Sequence, residues 1–177
     1  MVLRRLSALC AAFALLLGGM LVAAHPAQAA QAAVRVLYYD ASAAQEFVSV
    51  VHQGAQIWNA RVTNVQLQPV TAGRTPNIRV YADNGWPRAY VNSLGNGRWY
   101  MGREATGQGY YQPRIAAHEF GHLLGLPDRR TGLCTDLMSG SSAPVSCRNP
   151  NPNSTEIAQV NAAFAGSLAT AGRYVWK

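Results

Sequence analysis

Acidic side chains are scarce in this chain: eight Asp and Glu stand against 15 Lys and Arg in 177 residues. Lysine is scarcer still, because Lys177 is the only one and the basic character rests on arginines scattered along the chain. Formal charge is +7, and Arg4 and Arg5 carry part of that excess. No basic stripe or cluster forms, which argues against a nucleic-acid track and leaves a mild attraction to anionic surfaces. Cysteine is limited to three residues, and Cys10 lies inside the opening apolar run. Long hydrophobic runs are lacking apart from that one, at residues 6–24, so no second segment suggests a membrane span.

The opening run has the form of a secretory signal. Arg4 and Arg5 precede it, and Ala27-Gln28-Ala29 supplies a small-x-small cleavage box. Residues 1–29 are therefore expected to be removed, and 30–177 to form one exported, extracellular domain free of the membrane. Gly18-Gly19 and Ser7 speak against the competing reading of a permanent anchor. Cys10 does not follow a cleavage site directly, so a lipid anchor is not expected. Export leaves Cys134 and Cys147 in an oxidising medium, where a disulfide is favoured over a cysteine metal site. Closing that loop contributes on the order of 3 kcal/mol on the chain-entropy argument.

Hydrophobic periodicity predicts an α/β (α+β) domain, a twisted mixed sheet with one helix at the active site and one near the end of the chain. Residues 34–39, 65–70 and 78–82 alternate as strands. Ser42 and Gln45 form a capping box ahead of a helix reaching about Asn59, with Phe47, Val50, Val51 and Trp58 inward. Residues 83–111 read as short strands and loops, with Gly95-Asn96-Gly97 as the hairpin turn. Pro113 suits the first turn of a helix ending near Leu124. After a looped stretch, Ser154, Thr155 and Glu156 open a last helix with Ile157, Val160, Phe164 and Leu168 inward. No repeat or linker divides the chain, and nothing in it suggests an obligate oligomer, so a monomer is expected.

The chemistry is concentrated in His118-Glu119-Phe120-Gly121-His122-Leu123-Leu124-Gly125-Leu126-Pro127-Asp128. Four residues apart on a helix, His118 and His122 project from one face and can hold one zinc ion. Glu119 is placed to act on a water there. Gly125 can end the helix in a left-handed turn that returns Asp128 as a third ligand. Three protein ligands leave a fourth position open, the pattern of a catalytic and not a structural zinc. Chance matches to His-Glu-x-x-His alone are common enough that an ordinary helix with two solvent-facing histidines competes, but Gly125 and Asp128 tighten the pattern. His52, Asp136 and Glu156 are rival ligands. His52 lies on the first helix, Asp136 lacks the spacing of Asp128, and Glu156 lacks an Asp four residues on, because Val160 stands there.

This motif, followed by Met138 in Asp136-Leu137-Met138-Ser139-Gly140, resembles the snapalysin family of small secreted proteases, which belongs to the metzincin clan. The likeness covers the order of elements from about residue 34 onward and is most specific from His118 to Cys147. It implies a metzincin-like fold and zinc on His118, His122 and Asp128. It implies Glu119 as catalytic base, Met138 in a turn beneath the metal, and a Cys134–Cys147 bond closing the loop. It also implies cleavage of peptides and proteins, with an aromatic residue favoured on the leaving-group side. Three positions depart from the family pattern. Arg130 stands where a tyrosine is usual, and can either stabilise an oxyanion or face solvent. Tyr111 and Pro113 stand where calcium ligands are usual, which makes calcium doubtful.

The expectation is a secreted zinc-dependent endopeptidase. The competing class is a secreted zinc-binding module that holds a partner without cutting it. Trp86, Tyr90, Trp99, Tyr100 and Tyr110 are candidates either to line the substrate cleft or to pack as ordinary strand residues.

Overall fold

The computed structural model describes residues 33–165 and the strand at 174–176. The expected signal at 1–29 and Leu168 lie outside these residues. The elements are β1 (Arg35–Ala43), α1 (Val48–Asn59), β2 (Val65–Pro69), β3 (Ile78–Asp83), β4 (Arg88–Ser93) and β5 (Asn96–Gly102). They continue as α2 (Arg103–Gly107), α3 (Gln112–Leu123), α4 (Ser154–Ala165) and β6 (Tyr174–Trp176).

The strands form one mixed sheet in the order β2-β1-β3-β5-β4-β6. The pairs β1–β2, β1–β3 and β3–β5 are parallel, and β4 runs antiparallel to both neighbours. Alternation decides the faces. Leu37, Tyr39, Ile78, Val80, Ala89, Val91, Trp99 and Met101 are buried on one side, where α1 and α3 pack. Tyr81, Tyr90 and Tyr100 stand between them in sequence and occupy the opposite face, where Arg88 lies 4.1 Å over the Tyr100 ring. Fully burying one aliphatic or aromatic core side chain stabilises by about 1.5–3 kcal/mol, so this inner layer fixes where α3 sits. Trp58 of α1 locks the two helices together by donating its indole N–H to the Ala117 carbonyl at 2.8 Å.

Two local expectations are corrected. Ser42 is no helix cap: β1 continues to Ala43 because it still pairs with β3, and the Asp40 carboxylate accepts the Ser42 N–H at 2.9 Å. The helix begins instead through a single tight turn at Gln45–Phe47, without a side-chain cap. The hairpin turn is Leu94-Gly95 and not Gly95-Asn96-Gly97, since Asn96 already pairs with Ser93 and its side-chain amide donates to Ser93 Oγ and the Leu94 carbonyl. Helix α4 opens at Ser154 as expected, and Asn153 caps it: its Oδ1 accepts the Glu156 N–H at 2.9 Å while Glu156 Oε2 accepts the Asn153 N–H at 2.7 Å, a complete capping box.

Candidate metal centre

Helix α3 enters with Pro113 in its first turn, where a missing N–H costs nothing. Its apolar side, Ala116, Phe120 and Leu123, is buried against the sheet and α1. His118 and His122 therefore share the other side. Gly121 lies between them, and a Cβ there would fall 2.6 Å from the Met138 sulfur, so glycine lets the turn carrying Met138 press against the helix. The helix ends as expected. Gly125 adopts φ +97°, its N–H bonds the His122 carbonyl at 3.0 Å, and the Leu126 N–H bonds that of Gly121 at 3.0 Å. This pair of bonds is the Schellman arrangement, and it reverses the chain towards Asp128.

The same turn orients a ligand. His122 donates its Nδ1–H to the Leu126 carbonyl at 2.8 Å, and His118 donates its own to the Leu137 carbonyl at 3.0 Å. Both imidazoles therefore present Nε2 inward. Those two atoms are 3.1 Å apart, and Asp128 Oδ1 lies 3.2 Å from one and 3.6 Å from the other. Ligand atoms about 2.0–2.1 Å from a tetrahedral zinc are separated by about 3.3–3.4 Å, so the triangle has the dimensions of three corners of such a site. These three residues are the one group of that kind among the described residues.

Electrostatics fit a cation at that point. Burial, followed by the charge of His118, pushes His122 down to about 3, so its ring is neutral and can donate a lone pair. Burial also works against charge on His118, but the Asp128 carboxylate bonded to it and the charge of Glu119 raise its pKa overall. Burial opposes ionisation of Asp128 too, yet the bond to His118 and neighbouring positive charges hold its pKa below the usual value. Glu119 is only 3% exposed, its Oε2 is buried without a hydrogen-bond partner, and burial pushes its pKa up to about 8.

Arg130 lies at the rim in the left-handed region, φ +50°, and its guanidinium meets Asp128 Oδ2 at 3.2 Å. Beside the triangle opens a cavity whose apolar walls include Trp86, Ala105, Tyr110, Ile115, Ala143 and Pro144. Trp86 and Tyr110 meet edge to face with ring centres 5.6 Å apart. The other three aromatic candidates are elsewhere. Trp99 packs edge-on to Phe120 in the core, and Tyr90 and Tyr100 lie on the far face of the sheet. His52 accepts or donates at Tyr39 Oη at 2.7 Å and is absent from the triangle.

The loop after Asp128 is anchored from below. Met138 is fully buried, and its carbonyl accepts the Arg129 N–H at 2.7 Å, tying the Asp128 segment to the turn. Cys134 and Cys147 form a disulfide with Cα atoms 5.6 Å apart. Asp136 and Glu156, weighed above as rival ligands, lie under this turn instead. Glu156 is fully buried, and its carboxylate accepts the N–H groups of Met138 at 2.7 Å and Leu137 at 3.3 Å. Burial and then the adjoining Asp136 carboxyl raise its pKa. Arg114, also buried, donates to the carbonyls of Cys134, Asp136 and Asn149 at 3.1, 2.6 and 2.7 Å. Sequence reasoning did not assign these roles to Arg114 and Glu156. The Asn153-x-x-Glu156 capping box was a usable signal for the second; nothing local marks the first.

A continuous path thus joins Glu156 through the Leu137 peptide to His118. Glu156→Ala leaves two buried N–H groups, of Leu137 and Met138, and the half-buried one of Asn153 without their acceptor, each buried one a loss of about 1–3 kcal/mol. The metal-free protein is expected to lose roughly 3 kcal/mol or more in thermal or urea unfolding. Metal affinity is expected to fall about 10–100-fold as His118 loses its fixed orientation. Unchanged affinity in a chelator competition would sever this path.

The pattern of the Streptomyces extracellular neutral proteinase (M7) family matches residues 33–167. An extracellular small neutral protease from Streptomyces lividans is 41% identical over 144 residues, 81% of this chain and 61% of the relative. One from Streptomyces sp. (strain C5) is 42% identical over 142 residues, 79% of this chain and 60% of the relative. One from Streptomyces caespitosus is 42% identical over 128 residues, 72% of this chain and 95% of the relative. This chain therefore spans about three fifths of the first two relatives, 61% and 60%. Among solved structures, that of myroilysin aligns at 24% identity with a TM-score of 0.40, over 54% of this chain and 50% of that one.

Proposed function

The chain belongs to the Streptomyces extracellular neutral proteinase (M7) family, and from that membership we propose that it is a secreted zinc-dependent endopeptidase. One observation carries the reading: the zinc-sized triangle of His118, His122 and Asp128 beside a buried acid, Glu119, that takes no part in it. Two imidazoles and one carboxylate suit zinc, whereas calcium and magnesium seek six or more oxygens. Zinc bound there would polarise the scissile carbonyl and lower the pKa of water towards ~7.

The chain's own residues divide the remaining work. His118 and His122 hold Nε2 in position because their Nδ1 atoms are tied to the Leu137 and Leu126 carbonyls. Glu119 takes the proton of the attacking water and returns it to the departing amine. Arg130 occupies Asp128 Oδ2 and leaves Oδ1 for the metal. We assign it to positioning the third ligand, not to the oxyanion. The substrate binds extended, pairing its backbone with β4 on the side away from β5. The walls of Trp86, Tyr110, Ile115 and Pro144 favour an aromatic or large apolar side chain on the leaving-group side.

Casein degradation by the purified chain tests this reading. Activity is expected to vanish on dialysis against 1,10-phenanthroline and to return with zinc but not with calcium. A chain that takes up zinc and leaves casein intact would be a metal-binding module, the competing class.

A further inference from the structure

We propose that Tyr174–Trp176 is a built-in competitor for the peptide that the cleft takes, filling the β4 edge along which a substrate would pair. This rests on the peptidase reading above, and it concerns access to the site, not its chemistry.

Three backbone observations place the strand there. First, β4 is the strand that leads into the cavity: it begins directly after Trp86 and Pro87, which line the cavity together with His118 and Glu119. Second, one side of β4 is taken by β5, and the other is taken by β6, with Val91 opposite Tyr174, Tyr90 opposite Val175 and Ala89 opposite Trp176. Third, β6 is antiparallel to β4 and so runs from Val91 towards Ala89, in the direction of the cavity. Each strand edge offers one row of N–H and C=O groups, so an incoming peptide and β6 cannot both use it.

The strand also lies past residue 167, where the match to the family pattern ends. A three-residue strand makes few ladder bonds, yet its tether holds it at a high effective concentration. Such a competitor lowers the fraction of molecules ready for substrate, and apparent affinity falls by that fraction.

The experiment compares the full chain with one lacking residues 174–177, both loaded with zinc. Deletion is expected to lower KM for a ten-residue fluorogenic peptide about 3–10-fold with kcat unchanged. A synthetic peptide of residues 172–177, added in trans, should inhibit the shortened enzyme competitively. Equal KM values, or no inhibition by the peptide, would overturn the proposal. A second measurement does not depend on turnover. In Glu119→Ala versions of both lengths, anisotropy of the labelled ten-residue peptide should report about 3–10-fold tighter binding to the shortened chain. Equal binding, or none to either chain, overturns the competitor. The peptidase reading itself falls only if the zinc-loaded parent chains of both lengths leave casein intact.

Discussion

Replacing Glu119 by alanine is expected to cut casein hydrolysis by about 10²–10⁴-fold, the usual contribution of a positioned general base, while zinc content stays unchanged. The two halves of this result come from different atoms. Metal would be held by the Nε2 atoms of His118 and His122 and by Asp128 Oδ1, and Glu119 is not part of that triangle. Its carboxyl stands next to the triangle, desolvated, with Oε2 lacking any hydrogen-bond partner. Glu156 looks different, with backbone amides on both of its oxygens.

That contrast gives the experiment a control. If Glu119 served packing, its removal would destabilise the fold. Instead, a buried acid with an unmet oxygen is a burden on the metal-free chain, and replacing such a group is often neutral or stabilising. The Tm of the metal-free Glu119→Ala protein is therefore expected to be unchanged or raised. Loss of zinc together with activity would make Glu119 a ligand or its support. Retained activity would remove it from the mechanism altogether.

Legibility in the sequence follows the range of each interaction. His118 and His122 were readable because a helical repeat brings residues four apart onto one face, whatever the rest of the chain does. Asp128 was readable because Gly125 signals where the helix must turn, and the turn needs only bonds to Gly121 and His122. On α1, the inward Val51 and Trp58 followed from the helical period alone. Glu156 was not readable in its true role, because its partners Leu137 and Met138 are backbone amides 19 and 18 residues away. A backbone amide leaves no trace in side-chain identity, so Glu156 could only be weighed as a possible ligand. Arg114 failed for the same reason, since each of its partners is a carbonyl. Among the aromatics, period 2 separates Trp99 from Tyr100, but only the order of strands shows that Trp86 and Tyr110 meet at the cavity.

Asp128→Ala is expected to abolish casein hydrolysis and to weaken zinc binding by well over the ~10–100-fold attached to residues that merely orient a ligand. The reason is the incompleteness of what remains. Two imidazoles on one helix face leave half of a tetrahedral site to water. The substitution also removes the negative charge that sits 3.2 Å from His118 Nε2 and offsets positive charge at the site. Arg130 also loses the carboxylate that it meets at 3.2 Å, so its charge no longer offsets that of Asp128 beside the dication. Asp128→Asn separates charge from geometry, because it keeps a carbonyl oxygen at the same reach; it should bind zinc more tightly than alanine and more weakly than the parent. Arg130→Ala completes the comparison. If Arg130 only aligns Asp128, its removal weakens zinc binding no more than ~100-fold and leaves measurable hydrolysis. Competition with a chromogenic zinc chelator orders all four proteins. Zinc binding by Asp128→Ala equal to that of the parent would mean that another group supplies the third ligand, and the zinc-sized triangle would then be a coincidence of packing.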